Sequence, residues 1–342
     1  MKNQIEAAIE ISISTVGLTY RAIPAFNQVE NGLALINQKD RAVAISQIKE
    51  HQVVNSPFKW VGGKSRLRHE IVELLPHHTC YLELFSGAAW VLFAKPPSKV
   101  EILNDIDQDL VTFFRVVKEK PEELIASFEW ELVSRAEFER LADLDCSQLS
   151  DVQRAHRFYY LIMAGWGGEL NYPRFQTAIT DGGHGNRLIG ALKTLRQRLE
   201  PVHARLRTVI IENLDWQECI ERYDKPNTVM YVDPPYPGNK CNYVYNMRDW
   251  KDHQTLADRL IRTESRWILS SYDVPEIRAM YANPKCHIIP VQSYSGMNIE
   301  KGKSERVLNK EVLIVNFTPP HHIIARKLAE QTDKPLQMGL QL

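Results

Sequence analysis

Two hydrophobic patterns alternate along much of this chain. Residues 65–75 space their apolar positions as a helix does, and the pattern stops at Pro76. Residues 80–85 form a short apolar run that leads into Ser86-Gly87-Ala88-Ala89 and then an apolar helix. Residues 100–103 are the next strand, ending at Asn104-Asp105. The alternation returns beyond residue 205: strands at 208–211 and 229–232, a helix at 253–263, a strand at 267–271, a helix at 274–281, and final strands at 287–291 and 311–317. Strands alternating with helices predict an α/β fold, a doubly wound and mainly parallel sheet covered on both faces.

Residues 113–204 break the alternation and read as mostly helical. Leu188, Leu192, Leu195 and Leu199 form one stripe, with Asn186 as the expected N-cap and Pro201 as the expected stop. Charge divides sharply here: 119–151 carry ten acids against three bases, and 152–208 carry nine bases against three acids. Arg187, Lys193, Arg196 and Arg198 lie off the leucine stripe and are candidates to face a polyanion. Residues 1–54 form a separate extension in which Ile9, Ile11 and Ile13 alternate with polar residues as a half-buried strand does, and 39–51 are weakly helical. The expected organisation is an N-terminal extension (1–54), a catalytic domain (55–112 and 205–318), a mostly helical inserted recognition domain (113–204) and a C-terminal tail (319–342).

Composition adds exclusions. The 342 residues have zero formal net charge, so any nucleic-acid surface is a local patch. No apolar run approaches a membrane span, and the N-terminus lacks the pattern of a signal peptide. Five scattered cysteines without a CxxC pattern, and His-His pairs without matching ligands, predict reduced thiols, a cytoplasmic setting and no metal.

The candidate chemistry sits at predicted strand ends. Asp233-Pro234-Pro235-Tyr236 follows the strand at 229–232. A carboxylate, a carbonyl freed by two prolines and an aromatic ring suit a flat heterocycle bearing an exocyclic amine. Glu83-Leu84-Phe85-Ser86-Gly87 ends the strand at 80–85, where small residues let a ligand approach the backbone, and Asp105 ends the next, where a carboxylate can accept from ribose hydroxyls. Lys59-Trp60-Val61-Gly62-Gly63-Lys64 lacks the spacing of a phosphate loop, which leaves Lys64 to pair with a ligand carboxylate. S-adenosylmethionine, a nucleoside with an amino-acid carboxylate, satisfies Lys64, Glu83 and Asp105 together. No G-x-G-x-x-G follows the first strand, which argues against a nicotinamide site.

Taken in order, KWVGGKSRL (59–67), YLELFSGAAWVLF (81–93), ILNDIDQDL (102–110) and YVDPPY (231–236) resemble the Dam-type, D12 class of N6-adenine-specific DNA methyltransferases. ILSSYDVPEIRAMY (268–281) and KEVLIVNF (310–317) extend the likeness weakly. The family usually has glycine where this chain has Ala89. The resemblance implies a class I S-adenosylmethionine-dependent fold and methyl transfer to N6 of an adenine flipped out of duplex DNA. It implies that Trp60, Lys64, Glu83, Phe85, Gly87, Asp105 and Asp233 contact the cofactor, with Asp215 and Trp216 near its adenine. Asp233, Pro234, Pro235 and Tyr236 become the catalytic set, and residues 113–204 the target-recognition region. Lys301, Lys303 and Arg306 form a second candidate phosphate-contact loop. The alternatives are a relative acting on RNA or another exocyclic amine, and a catalytically silent nucleic-acid-binding protein.

Overall fold

The computed structural model describes residues 53–166, 173–177, 185–237, 243, 245–299 and 306–332. The chain divides between His51 and Gln52, and everything below belongs to the second part. The strand and helix expected within residues 1–51, together with Lys301 and Lys303, lie outside the described residues.

Seven strands form one sheet: β1 (Cys80–Glu83), β2 (Val100–Asn104), β3 (Ile210–Glu212), β4 (Thr228–Val232), β5 (Arg266–Tyr272), β6 (His287–Ile299) and β7 (Arg306–Val315). Their order is β3-β2-β1-β4-β5-β7-β6. The pairs β3-β2, β2-β1, β1-β4 and β4-β5 are parallel, while β7 runs antiparallel to both neighbours. This is the doubly wound, mainly parallel sheet expected of a class I methyltransferase. The order reverses between β1 and β4, and at such a switch point ligands bind beyond the strands' carboxyl ends. Register aligns those ends. Glu83 lies opposite Leu103 on β2 and Tyr231 on β4, so the loops after all three strands open at one level.

Alternate strand residues feed two cores. Tyr81, Leu103, Val229, Tyr231, Ile268, Leu313 and Val315 pack on one face of the sheet. Leu82, Ile102, Met230, Val232, Trp267, Leu269, Val312 and Ile314 pack on the other. The first face is covered by α1 (Arg68–Leu74), α2 (Trp90–Ala94), α3 (Gln108–Glu119) and the helices that follow it. The second is covered by α9 (Trp216–Tyr223), α10 (Trp250–Ile261) and α11 (Pro275–Met280). Because both faces are buried, the strands are near-continuous apolar runs, which is why the sequence pattern locates them.

The helical region contains α4 (Pro121–Ser127), α5 (Arg135–Ala142), α6 (Asp151–Ala164), α7 (Arg187–Leu192) and α8 (Leu195–Leu206). It shares one continuous core with the sheet: Phe128, Phe138, Phe158, Leu188, Leu199 and Leu206 join the same cluster as Tyr81 and Leu103. The expected boundary at 112/113 falls inside α3, and that at 204/205 inside α8. Asn186 caps α7, its side chain accepting from the Leu188 amide at 2.9 Å. Pro201 does not stop the helix. α8 runs through it because Leu195, Leu199, Val202 and Leu206 bury one face, which outweighs the lost backbone bond.

Residues beyond 319 are not simply a tail: α12 (His321–Thr332) buries Ile323 in the main core, and Arg326 pairs with Glu73 at 2.9 Å. β6 runs eight residues past the expected end, through a polar stretch whose sequence has no apolar alternation.

Below the sheet, Glu101 on β2 is 1% exposed and accepts from Lys95 (2.6 Å) and from both terminal nitrogens of Arg205 on α8 (2.5 and 2.7 Å). This buried triad fastens α8, a helix of the 113–204 region, to the sheet.

Candidate active site

A cavity of about 330 Å³ opens at the switch point. It is lined by every residue the sequence proposed for cofactor and catalysis: Trp60, Lys64, Glu83, Phe85, Gly87, Asp105, Asp215, Trp216, Asp233, Pro234, Pro235 and Tyr236. They come from segments up to 176 residues apart in sequence (60 to 236), and the aligned strand ends are what bring them together.

The β1 loop turns through Gly87 at φ +45°, and a Cβ there would come within 2.8 Å of Trp60 Nε1. Gly87 thus lets the Trp60 indole lie directly on the turn. Its amide donates to Asp105 Oδ2 at 2.9 Å, while Oδ1 of Asp105 accepts from the Asp107 amide at 3.0 Å. Ala89, at φ 52°, is the one non-glycine residue with positive φ among the described residues. It occupies the family's usual glycine position, at a backbone cost of roughly 1–2 kcal/mol.

Buried Asn104 ties the strand ends together. Its amide nitrogen donates to the carbonyls of Leu84 (3.0 Å) and Leu214 (3.2 Å), and its oxygen accepts from the Leu214 amide at 3.0 Å. This bracket fixes the loop of Phe85 and Gly87 against the loop of Asp215 and Trp216. Asp215 also caps α9, accepting from the Gln217 amide at 2.9 Å.

Asp233 leaves β4 beside Lys64. Lys64 Nζ lies 2.8 Å from Asp233 Oδ1, donates to the Gly62 carbonyl at 2.8 Å and sits 4.7 Å from the Tyr236 ring centroid. Oδ1 is shielded from solvent, and its contact with Lys64 is an ion pair. The lysine expected to hold a ligand carboxylate is instead paired with Asp233, the carboxylate expected to act in catalysis. Burial pushes the Asp233 carboxyl up to about 6, against the opposing pull of Lys64. Burial also pushes Glu83 up to about 8, although it accepts from the Leu92 amide (3.0 Å) and the Tyr81 hydroxyl (3.2 Å). Several carboxyls displaced in one cleft mark a functional site.

The cavity wall includes residues that the sequence did not propose for the site: Tyr243, Tyr245, Asn246 and Met247, and also Tyr272 and Glu311, which lie in the two weakly matching segments. The Tyr243 hydroxyl donates to the Val61 carbonyl at 3.0 Å, and the Tyr236 hydroxyl donates to Glu311 at 3.0 Å. A trace of Glu311 was available in the sequence, where it shares a strand face with Leu313 and Val315.

The candidate phosphate contacts do not form one set. Lys193 and Arg198 are exposed. Arg196 is gripped by Glu122 through two 2.7 Å bonds and also meets Glu200, so the acidic half of the region neutralises it. Arg187 is half-buried and donates to the Gly165 carbonyl, a position inside the fold rather than on its face. Arg306 opens β7, and its side chain lies outside the described residues.

The family model for D12 class N6 adenine-specific DNA methyltransferases matches residues 60–297. The type II methyltransferase M1.LlaDCHI of Lactococcus lactis subsp. cremoris is 24% identical over 292 residues, covering 79% of this chain and 98% of that protein. The DNA adenine methylase of Haemophilus influenzae is 27% identical over 285 residues, covering 76% and 93%. The type II methyltransferase M.MjaIII of Methanocaldococcus jannaschii is 27% identical over 306 residues, covering 76% and 99%.

Proposed function

This chain belongs to the D12 class of N6 adenine-specific DNA methyltransferases, and from that premise we propose that its cavity takes S-adenosylmethionine and an adenine turned out of duplex DNA. Methylation of adenine N6 in DNA is the activity of this chain. The observation that carries the assignment of roles is the half-buried Asp233 carboxylate, its Oδ1 shielded from solvent and ion-paired to Lys64, beside Tyr236 and in one cavity with Asp105.

The lining fits such a cofactor. Asp105, Asp215 and Asp233 line the cavity near Lys64, its one lysine or arginine among the described residues, an acidic excess suited to a sulfonium, while burial pushes Glu83 and Asp107 up to about 8 and about 7. Gly87 leaves room for close backbone approach, and Asp105 keeps lone pairs for ribose hydroxyls. When bound, S-adenosylmethionine supplies the methyl group as an electrophile.

The residues of the chain prepare the amine. Adenine N6 is a weak nucleophile because its lone pair is delocalised into the ring. Asp233 Oδ1 accepts one N6 hydrogen and the Pro234 carbonyl the other, which favours pyramidal nitrogen with its lone pair aimed at the methyl group. Tyr236 holds the base by stacking. The contribution is orientation and charge placement. A paired base cannot enter such a pocket, so the target flips out at a cost of a few kcal/mol. Lys64 keeps Asp233 ionised until the amine arrives.

That role fixes a pH dependence. Asp233 must be ionised to accept, and its carboxyl titrates at about 6. With methyl transfer limiting, turnover should fall about tenfold per unit as pH drops below that value. Lys64 is the group that opposes burial, so Lys64→Ala should move this acid limb upward. An acid limb at the same pH in the variant would break the link between the two residues.

Phosphate contact is assigned to Lys193 and Arg198, which are exposed as Arg196 is but do not share its pairing with Glu122. Replacing both with alanine should lower the salt slope of duplex binding by about two units and weaken all sequences alike. An unchanged slope would place the phosphate surface elsewhere. For the function itself, incorporation of labelled methyl into unmodified duplex DNA should far exceed incorporation into RNA. The reverse preference would transfer the reading to an RNA enzyme.

A further inference from the structure

We infer that Glu311 is a positioning residue for the methyl transfer, fixing the Tyr236 ring in the plane on which the target adenine stacks. The inference rests on the proposed role of Tyr236 and extends it to β7, whose segment 310–317 carries only a weak part of the likeness and no residue proposed for the site.

Glu311 lies on β7, in register with Tyr272 on β5. Its strand face otherwise carries Leu313 and Val315, both part of the main core. A carboxylate that is 7% exposed on such a face carries a large desolvation penalty unless it is compensated. Part of that compensation is visible. Glu311 Oε2 accepts from the Tyr236 hydroxyl at 3.0 Å. A hydrogen bond to a charged acceptor is among the stronger neutral-donor contacts, and it fixes the phenol at its far end.

Two other contacts hold the ring. Tyr272 meets it edge to face, centroids 4.6 Å apart and planes at 77°. Lys64 lies over it at 4.7 Å. Lys64 is paired to Asp233, the group that must receive the adenine amine, so its position is tied to the reacting set. Glu311 lines the same cavity and its charge acts on Asp233, but its bond is to the far end of the phenol, so it supplies an anchor for the ring that persists while Lys64 and Asp233 engage the substrate. The effect is one of geometry: a stacked base is delivered to Asp233 at a fixed height and tilt only if the ring beneath it is fixed.

The test uses the full chain with unmethylated PCR-amplified duplex DNA and labelled S-adenosylmethionine, comparing Glu311→Leu, Glu311→Gln, Tyr236→Phe and the double variant Tyr236→Phe/Glu311→Leu. Glu311→Leu should lower kcat at least about tenfold, while calorimetry shows S-adenosylmethionine affinity within about threefold of the parent. Glu311→Gln keeps an acceptor for the hydroxyl and should recover most of the loss. Tyr236→Phe removes the same bond from the other end and should show a similar loss. The double variant should be no slower than the slower single variant, because one bond is lost once. A folded Glu311→Leu or a Tyr236→Phe protein with parental kcat overturns the inference, as does a double variant whose losses multiply. If Glu311→Leu fails to fold, Tyr236→Phe and Glu311→Gln still decide it. Absence of methylation by the parent protein would instead defeat the function proposed above.

Discussion

Asp233→Ala is expected to lower turnover at least ~10²-fold, the scale on which positioned charge-stabilising groups act. The carboxylate is half-buried at the end of β4, and its Oδ1, shielded from solvent, is paired with the Lys64 ammonium at 2.8 Å. Removing it takes away the acceptor for the adenine amine and leaves a buried lysine without its anion. Cofactor affinity should also fall, because the freed ammonium lies in the same cavity that is proposed to receive a sulfonium. Asp233→Asn separates the effects: it preserves shape but loses the charge. Initial rates of methyl incorporation, with circular dichroism to show that the fold persists, provide the check. Turnover near the parental level in a folded Asp233→Ala protein would remove this residue from the mechanism.

The largest expected effect on stability lies outside the cavity. Glu101→Ala should cost roughly 3–5 kcal/mol, the penalty for breaking a buried ion network from one side. Glu101 is shared by Lys95 and Arg205, all three nearly inaccessible to solvent, and Lys95 also lies 4.6 Å from the Tyr81 ring centroid. Burial raises the Glu101 carboxyl, but Arg205 and Lys95 together bring it below its ordinary value. Burial lowers Lys95 to about 8 against the pull of Glu101, and the neighbouring Arg205 adds to the lowering. Without Glu101, two buried cations face one another where α8 meets the sheet. Urea denaturation should show a lower midpoint. A variant as stable as the parent would mean that the triad does not fasten this helix.

The chain wrote some of this plainly and some of it not at all. Strands buried on both faces are apolar runs, so their ends could be placed, and motif residues at those ends converge because parallel register aligns them. Long-range partners leave no such trace. The Tyr236–Glu311 bond joins residues 75 apart, and the Asn104 bracket reaches 110 residues to Leu214. Both depend on strand order. The pairing of Arg196 was hidden for the same reason: Glu122, which engages it, lies 74 residues away. Pro201 and α12 were hidden because tertiary burial outweighs local propensity, holding a helix through a proline in one case and docking Ile323 in the other. Ala89 was visible as a departure from the family, but its left-handed backbone shows what a glycine there would relieve.

The central claim is that the Asp233 site methylates adenine N6 in DNA. Its most direct test is to treat unmodified genomic DNA with the purified protein and S-adenosylmethionine, then map modified bases by single-molecule sequencing, with Asp233→Ala protein in parallel. The account predicts N6-methyladenine after treatment with the parent protein and close to none after treatment with the variant. Modified cytosine instead of adenine, or equal adenine methylation by both proteins, would contradict it.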